Sequence, residues 1–440
     1  MNKGHFGMKR ILIDKMKLWK ESGRRKPLII KGVRQCGKTW LLKEFGASFY
    51  EDVAYFNFEG NDALGERFEN DLDVVRIITE LGILRKKAIK PRTTLVIFDE
   101  IQYCNRALTS LKYFYENAPE YHIICAGSLL GLSLSKPLSF PVGKVNLMTL
   151  FPMNFLEFLL ANGEEMLCEH LQGLKPNKKV SALFAEKLEN YLRIYYVTGG
   201  MPEAVETWIR TKDIELLETV QQQIINSYQL DFAKHAPHKD IPKLSAIWRS
   251  IPLQLSKENT KFIFGQVKKG WRAKDLEDAL EWLISAGLVY KVTKIEKPSV
   301  PLSSYADQTF FKLYLCDVGL LRKMANLSAG YILKRNDNFR EFKGAMAENY
   351  VLCELINQYE ADWFYWRSGN TAEVDFILMH DTNIIPIEVK SERSNKAKSL
   401  AEYRKKYNPE ISVKTSMKNL AGGEVRQIPL YLVWQIGKYL

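Results

Sequence analysis

The chain has 440 residues, of which 46% are hydrophobic and 26% are charged. This balance excludes an intrinsically disordered protein, and the length predicts about three domains. The formal net charge of +12 favours a polyanionic partner, most simply nucleic acid, although many basic proteins bind none.

The spacing of the cysteines indicates a reducing compartment, and the hydropathy indicates no membrane span. The six cysteines form no CxxC pair and the six histidines are scattered, so no zinc site is expected. No signal peptide or membrane span is recognisable, because the most apolar stretch, 145–161, is interrupted by Pro152, Asn154 and Glu157. We therefore expect a cytoplasmic protein without a membrane partner.

A phosphate-binding loop is predicted near the start of the chain. Residues 27–31 (PLIIK) predict a buried strand, which leads into GVRQCGKT and then a helical pattern. In this context backbone N–H groups and the helix N-terminus surround nucleotide phosphates, so a chance match on a surface turn is disfavoured. Lys38 would reach the β- and γ-phosphates, and the Thr39 hydroxyl would bind Mg²⁺. The predicted nucleotide-binding residues are Gly32, Val33, Arg34, Gln35, Cys36, Gly37, Lys38, Thr39 and Trp40.

An acidic pair follows a second predicted strand, 94–98 (TLVIF). Asp99 would hold Mg²⁺ through water, and Glu100 would orient and deprotonate the attacking water. Two solvated acids at a strand end are the alternative. A third strand, 121–125, leads to Ser128, a small polar residue that could sense the γ-phosphate. We therefore expect ATP and Mg²⁺ as cofactors and hydrolysis as the reaction.

The first two hundred residues alternate between strand and helix. Further strands are predicted at 53–58 and 144–147, so the pattern requires a mostly parallel sheet covered on both faces. This part of the chain resembles a family of bacterial and archaeal AAA+-type ATPases that carry a C-terminal domain of unknown function. The motifs that carry the resemblance are KGVRQCGKTWLL, AYFNFE, LVIFDEIQ, ICAGSLLG, LFPMNFLEFL and GGMP.

The resemblance implies Ser128 as the sensor and an extra strand between the loop strand and the acidic strand. The family often has Gly-Arg before the LFPMNF segment, where this chain has Gly143 and Lys144. Lysine lacks the planar fork of arginine, so a role on a neighbour's nucleotide passes to Lys144 or is absent. Since AAA+ sites often lie between subunits, a homo-oligomer through this module is an expectation. The other candidates for that role are Arg34, Arg106 and Arg193.

Two modules are predicted in the middle of the chain. Residues 155–235 are helical in pattern and suit the helical lid that follows AAA+ sheets. Residues 236–300 read as two helices and a strand after Gly287, which favours a winged helix that contacts DNA or another protein. A basic cluster favours DNA, and a solvated basic face is the alternative. The cluster comprises Lys261, Lys268, Lys269, Arg272 and Lys274.

The C-terminal residues 301–440 carry acids on a predicted helix and on two following strands. The Asp…Glu-x-Lys order predicts a PD-(D/E)xK nuclease-like arrangement, in which Asp375 and Glu388 bind Mg²⁺ and Lys390 orients or activates water. An additional helical acid, here Glu348, is usual in the Holliday-junction-resolvase branch of that superfamily. The alternative is that IEVK pairs its charges structurally. In chain order the residues are Glu348, Asp375, Glu388 and Lys390.

The predicted fold class is α/β. It comprises an AAA+ P-loop core at 1–154, a helical lid at 155–235, a winged helix at 236–300 and a restriction-endonuclease-like domain at 301–440. The preferred function is ATP-driven control of a DNA-directed module, with metal-dependent DNA cleavage as a second activity. The competing hypothesis is an ATP-gated switch or scaffold for protein–protein signalling, with an inactive nuclease-like domain. A protein-remodelling ATPase would need a hydrophobic pore loop, and none is identified in the sequence.

Overall fold

The computed structural model describes residues 8–128, 141, 143–176, 178–257, 261–334, 340–369, 372–393 and 397–440. The chain divides into two compact units. The first, here called the P-loop unit, comprises Arg10–Phe151 and Ser285–Gly287. The second, here called the larger unit, comprises Met1–Lys9, Pro152–Ile284 and Leu288–Leu440. Each unit is built on its own sheet.

The P-loop unit alternates between strands and helices. Its helices are α1 (Leu12–Glu21), α2 (Lys38–Phe49), α3 (Asp62–Gly65), α4 (Val74–Leu84) and α5 (Asn105–Asn117), and 3-10 turns lie at Glu66–Phe68 and Ile101–Tyr103. Its strands are β1 (Leu28–Lys31), β2 (Asp52–Asn57), β3 (Thr94–Asp99), β4 (His122–Gly127) and β5 (Asn146–Thr149). The last strand was predicted at 144–147 and begins two residues later, because Lys144 is in a turn whose N–H donates to the Pro141 carbonyl.

The five strands are parallel and lie in the order β2-β3-β4-β1-β5. The predicted parallel sheet is thus confirmed, and β4 is the strand between the loop strand and the acidic strand. Both β3 and β4 are buried along their whole length, as their continuous apolar sequences require. Since parallel strands end at the same edge, the residues that follow β1, β3 and β4 meet there.

An aromatic cluster anchors one part of this sheet's core. The ring of Phe98 lies 5.6 Å from that of Phe58 and 5.8 Å from that of Phe68, edge-to-face in both cases. All three are buried with apolar residues of α4 and α5. Removing a buried Phe ring typically costs about 3–5 kcal/mol. This cluster therefore holds β3, and with it Asp99, in place.

The larger unit begins with helices and ends with a mixed sheet. Its helices are α6 (Phe155–Ala161), α7 (Glu165–Gly173), α8 (Ala182–Thr198), α9 (Pro202–Thr211), α10 (Ile214–His235), α11 (Ile241–Leu255), α12 (Phe264–Val267), α13 (Ala273–Ser285, which ends in the P-loop unit), α14 (Val318–Met324), α15 (Ala329–Leu333), α16 (Arg340–Gln358) and α17 (Lys398–Tyr407). Its strands are β6 (Val289–Ile295), β7 (Ala306–Leu315), β8 (Trp363–Ser368), β9 (Ala372–His380), β10 (Asn383–Val389), β11 (Ser412–Ser416) and β12 (Val425–Pro429), and 3-10 helices lie at Leu302–Tyr305 and Leu430–Tyr439. None of the helices in the described ranges is both long and apolar enough to cross a membrane.

The seven strands form one sheet in the order β12-β11-β10-β9-β8-β6-β7. Strands β6 and β7 pair antiparallel, and β6 pairs with β8 in parallel. The predicted boundary at residue 300 therefore lies between two paired strands, and the segments on either side contribute to the same sheet. Helix α17 covers part of this sheet, where Tyr403 packs 5.2 Å from the ring of Trp366.

The GGMP segment has a structural explanation in this unit. Gly199 has φ of +70°, and a Cβ there would lie 2.1 Å from Oδ1 of Asp317. A Cβ on Gly200 would lie 2.0 Å from the Met153 carbonyl oxygen, and the Gly200 N–H donates to Asp317 at 2.6 Å. Asp317 also caps α14 by accepting the Leu320 N–H at 2.8 Å. Two glycines are thus required for the close approach of α8, α6 and α14.

Candidate functional sites

The predicted phosphate loop lies between β1 and α2. Gly37 precedes the first residue of α2 with φ of +92°, a left-handed conformation that glycine adopts without strain. A Cβ on Gly32 would lie 2.2 Å from the Leu150 carbonyl oxygen. Within the described residues no side chain caps α2, so the N–H groups of its first turn point towards the loop and can bind an anion.

The loop is closed by two cationic side chains. Lys38 is only 5% exposed, and its ammonium group donates to the carbonyl oxygens of Gly32 at 2.9 Å and Val33 at 2.8 Å. The buried Arg10 guanidinium donates to the Cys36 carbonyl at 2.7 Å. The pattern of the loop did not indicate Arg10, because this residue lies outside the motif. Lys38 thus lies over the concave side of its own loop, where phosphate oxygens would replace the two carbonyls.

Asp99 is held at the end of β3 by two hydroxyl groups. The Thr39 hydroxyl donates to Oδ2 of Asp99 at 2.6 Å, and the Tyr55 hydroxyl donates to the same oxygen at 2.8 Å. Burial, followed by the hydrogen bond to Asp99, raises the pKa of Tyr55, so it stays a donor. Thr39 and Asp99 supply a hydroxyl and a carboxylate oxygen, which are ligands that Mg²⁺ prefers. Tyr55 was not predicted, since its strand carries no motif.

Glu100 lies directly beyond Asp99 in a left-handed conformation with φ of +50°. Such a conformation costs a residue other than glycine about 1–3 kcal/mol, so the surrounding contacts must hold it. Its Oε2 accepts a hydrogen bond from the Ser128 hydroxyl at 3.2 Å and another from the Gln102 amide. The structure therefore brings together Glu100 and Ser128, which the sequence placed on different strands.

The chemical types of these groups match those that bind a Mg²⁺–nucleotide complex. The donor set combines helical N–H groups, one ammonium group, one hydroxyl and two carboxylates, all at one edge of the sheet. The predicted binding residues 32–40 lie in the loop and the first turn of α2. Direct contact of Val33, Arg34, Gln35 and Trp40 with the nucleotide stays a prediction.

The candidates for a residue acting on a neighbour's nucleotide have other contacts in this chain. Lys144 forms an ion pair with Glu116 at 3.0 Å. Arg106 donates to the Phe68 carbonyl at 2.6 Å. Arg193 donates to a neighbouring residue on α8, in the larger unit. The role of each stays a prediction, as it does for Arg34.

A second carboxylate site lies in the sheet of the larger unit. Asp375 on β9 accepts the Val389 N–H of β10 at 2.7 Å, which holds it beside Glu388. The Lys390 ammonium pairs with Oε1 of Glu388 at 2.5 Å. Burial, then the charges of Glu348 and Glu388, raise the pKa of Asp375, and burial raises that of Glu388. The other carboxylate oxygen of Glu388, Oε2, is buried without a hydrogen-bond partner among the described residues.

Glu348 on α16 has partners on β7 that the sequence argument missed. The Tyr314 hydroxyl donates to its Oε2 at 2.7 Å, and the Lys312 ammonium lies 3.5 Å from the same oxygen. Lys312 also forms an ion pair with Glu373 at 2.5 Å. The period of two in FKLYL places Lys312 and Tyr314 on one face of a strand, a signal that could have indicated them.

Asp375 and Glu388, the two carboxylates predicted to bind a metal, would provide a site with few protein ligands. Among the described residues, no group of three or more His, Cys, Asp or Glu side chains is arranged to hold a metal ion. The orphaned Oε2 of Glu388 beside Asp375 is nevertheless the kind of oxygen that a cation would satisfy. Metal binding at Asp375 and Glu388 stays a prediction.

One family model matches a stretch that includes most of the P-loop unit. Residues 24–159 match the model described as an AAA domain. This finding supports the AAA+ ATPase class that the sequence resemblance implied. Residues 189–330 and 343–433 match two further models, each described as a domain of unknown function (DUF8612 and DUF4143). No curated protein matches the chain.

Several solved structures are similar to parts of this chain at low TM-scores. The Walker-type ATPase PABY2304 of Pyrococcus abyssi is 17% identical, with a TM-score of 0.46, over 72% of this chain and 96% of that one. AMPPCP-bound DnaA from Aquifex aeolicus is 16% identical, with a TM-score of 0.30, over 63% and 88%. The Aeropyrum pernix ORC1 protein in complex with DNA is 11% identical, with a TM-score of 0.27, over 72% and 90%.

Proposed function

We propose that this chain hydrolyses ATP with Mg²⁺ at its AAA domain, and that ATP turnover controls a DNA-directed module in the larger unit. The observation that carries the first part is the hydrogen-bonded cluster at the sheet edge. In it Thr39 contacts Asp99, and Ser128 contacts Glu100. A phosphate loop with an acidic pair can bind a nucleotide, and a glutamate held by a polar sensor can couple its state to the γ-phosphate.

The proposed chemistry assigns one task to each side chain. Lys38 neutralises charge on the phosphate oxygens, while Thr39 and Asp99 would hold Mg²⁺ directly and through water. When bound, Mg²⁺ supplies Lewis acidity to the phosphates. Glu100 orients the attacking water and accepts its proton, and Ser128 links the position of Glu100 to the presence of the terminal phosphate.

The helices before β6 support a winged-helix assignment. Helices α11, α12 and α13 precede the antiparallel β6–β7 pair, and the Phe262 N–H donates to the Phe311 carbonyl of β7 at 2.8 Å. Such a unit commonly places its third helix in the DNA major groove. Four of the five predicted basic residues are exposed just before α13 or in its first turn, where they could contact phosphates. They are Lys268, Lys269, Arg272 and Lys274.

The order of elements after β7 supports the nuclease-like assignment. Helix α16, the antiparallel strands β8, β9 and β10, helix α17 and the parallel strand β11 follow one another. Asp375 and Glu388 lie on neighbouring strands, with Lys390 just beyond the second, as the PD-(D/E)xK arrangement requires. We propose that Asp375 and Glu388 would hold Mg²⁺ here.

A specific observation favours the competing function. Lys390 pairs with Glu388, and Lys312 pairs with Glu348, so two of the acids are neutralised within the chain. An inactive scaffold would tolerate such pairing, whereas a nuclease must keep part of its carboxylate charge for metal. Under this alternative, ATP would switch a protein–protein contact and DNA would change neither activity.

The two functions separate in one assay. The full chain and Asp375→Asn are incubated with branched and linear DNA, with Mg²⁺ or Mn²⁺, with and without ATP, while phosphate release is followed. The matched control is Asp381→Asn, since Asp381 is 86% exposed in the adjoining β9–β10 turn. DNA-stimulated ATP hydrolysis, with cleavage that only Asp375→Asn loses, supports the preferred function. ATP hydrolysis that ignores DNA, with no cleavage of any substrate, overturns its DNA part and leaves the switch.

A further inference from the structure

Lys312 is a lysine inside the sheet of the larger unit. It lies on β7, is 1% exposed, and has its ammonium group 2.5 Å from Glu373 on β9 and 3.5 Å from Glu348 on α16. The ring centroid of Tyr365 lies 5.2 Å away. Transfer of an ammonium group out of water costs several kcal/mol unless opposite charges surround it. The position of Lys312 therefore depends on these carboxylates, and theirs depends on Lys312.

The charge of Lys312 is retained despite its burial. Burial disfavours the ammonium group, but Glu348, Tyr314, Glu373 and Asp375 outweigh it and raise the pKa of Lys312. The Tyr314 hydroxyl holds the same oxygen of Glu348. Glu348 thus has one hydrogen-bond donor, Tyr314, and one ion-pair partner, Lys312, both on β7. The Lys312 ammonium itself forms no hydrogen bond among the described residues, so its contacts with both acids are ion pairs.

The carboxylates further along the sheet are satisfied differently. Glu388 has one oxygen on Lys390, and its other oxygen is buried without a hydrogen-bond partner in the described part of the chain. Asp375 has the Val389 N–H as a partner, which orients a carboxylate without neutralising it. Asp375 and Glu388 are therefore the carboxylates whose negative charge is least compensated.

We propose that Lys312 is a built-in cation for Glu348 and Glu373, so that the carboxylate site accepts a single divalent cation, at Asp375 and Glu388. This inference rests on the metal-binding part of the proposed function and deepens it. It makes Lys312 and Tyr314 positioning residues, and it removes Glu348 from the metal ligands. Neutralising Lys312 would release two carboxylates, and these can recruit a second cation.

The test is the stoichiometry of Mn²⁺ binding to the full chain without nucleotide, by calorimetric titration. All variants carry Asp99→Asn, so that the AAA domain does not contribute. The parent is expected to bind one equivalent, with affinity lowered about tenfold or more by Asp375→Asn. Lys312→Met is expected to bind a second equivalent, and Lys312→Met combined with Glu348→Gln is expected to bind one. Two equivalents in the parent, one in Lys312→Met, or no binding at all would overturn the inference.

A matched lysine and a second variant guard against misfolding. Lys291 lies on β6 opposite Leu313, next to Lys312 in the ladder, and Lys291→Met should keep one equivalent. Glu348→Gln alone leaves Lys312 paired with Glu373 and should also keep one equivalent with affinity within about threefold, whereas a loss of about tenfold would make Glu348 a ligand and overturn the inference. DNA cleavage is scored separately, so the stoichiometry can hold even if the nuclease activity fails.

Discussion

The two acidic sites of this molecule differ in what holds their carboxylates. In the P-loop unit, Asp99 accepts hydrogen bonds from the hydroxyls of Thr39 and Tyr55, and Glu100 from that of Ser128. Among the described residues neither acid forms an ion pair. In the larger unit, Lys312 lies between two acids and Lys390 pairs with a third.

This difference separates orientation from neutralisation. A hydroxyl donor orients a carboxylate but leaves its negative charge, which can then attract a cation. A buried lysine both orients the carboxylate and neutralises its charge. The carboxylates of the P-loop unit therefore keep their charge available for an added cation. In the larger unit, lysine ammonium groups already compensate much of the negative charge of the carboxylates. Only Asp375 and Glu388 retain negative charge that a cation could compensate.

The largest expected effect is at Glu100. Glu100→Gln keeps the shape and the contact with Ser128 but removes the proton acceptor, so kcat for ATP hydrolysis should fall by about 10²–10⁴. Nucleotide binding should persist, and a fluorescent ATP analogue measures it. The control is Glu51→Gln, since Glu51 is exposed and directly precedes β2. Hydrolysis at the wild-type rate in Glu100→Gln would remove this residue from the chemistry.

The next effect compares two lysines of the larger unit. Lys312→Met should lower the free energy of unfolding by about 3–5 kcal/mol, because it leaves buried acids uncompensated. Lys390 has a side chain that is 35% exposed, but its partner Glu388 is buried, so solvent screens only part of the pair. Lys390→Met should therefore cost less than Lys312→Met, about 1–3 kcal/mol. Urea unfolding measures both. Equal losses would contradict the distinction between the buried and the half-exposed cation.

Another buried carboxylate sharpens the comparison, since no ion pair to it is found among the described residues. Glu354 on α16 is 1% exposed, accepts the Phe155 N–H at 2.8 Å, and has a second oxygen without a partner among the described residues. Burial, with a smaller contribution from Glu157, raises its pKa from 4.5 to about 8. The folded chain therefore binds this proton more tightly than the unfolded chain does.

Stability should therefore decrease with rising pH at this residue. The contribution of Glu354 is fully present below about pH 4.5 and is lost as pH rises to about 8, by up to about 1.4 kcal/mol per pH unit. Glu354→Gln keeps the acceptor for Phe155 and should flatten the slope of unfolding free energy over this window. Urea unfolding at a series of pH values measures it, and an unchanged slope would show that Glu354 does not titrate there.

The smallest expected effect is at Tyr55, whose neutral hydroxyl donates a hydrogen bond to Asp99. Tyr55→Phe removes one of the two hydroxyls on Asp99 and should weaken Mg²⁺-dependent ATP binding by about 1 kcal/mol, which is about fivefold. Binding measured in excess chelator should not change, because Tyr55 acts through Asp99. A loss of the same size without Mg²⁺ would instead indicate a contact with the nucleotide itself.

The sequence by itself predicted the candidate nucleotide site, because each of its parts is a short local motif. A glycine loop between a strand and a helix, and an acidic pair at a strand end, are local patterns whose backbone geometry follows from a few neighbouring residues. Residues 32–39, Asp99, Glu100 and Ser128 could thus be selected from their sequence context alone. The parallel sheet followed from the alternation of strands and helices.

Only the tertiary structure decided which side chains form hydrogen bonds and ion pairs with one another. Lys312 and Glu348 lie on a strand and a helix that are far apart in the chain, Tyr55 and Asp99 are 44 positions apart, and Arg10 and Cys36 are 26 apart, so no local period relates them. The pairing of β6 with β8 likewise unites segments that the sequence assigned to separate domains. A local pattern determines which residue carries a charge. Long-range strand pairing and burial determine which opposite charge it meets, and therefore whether that charge remains for a cation.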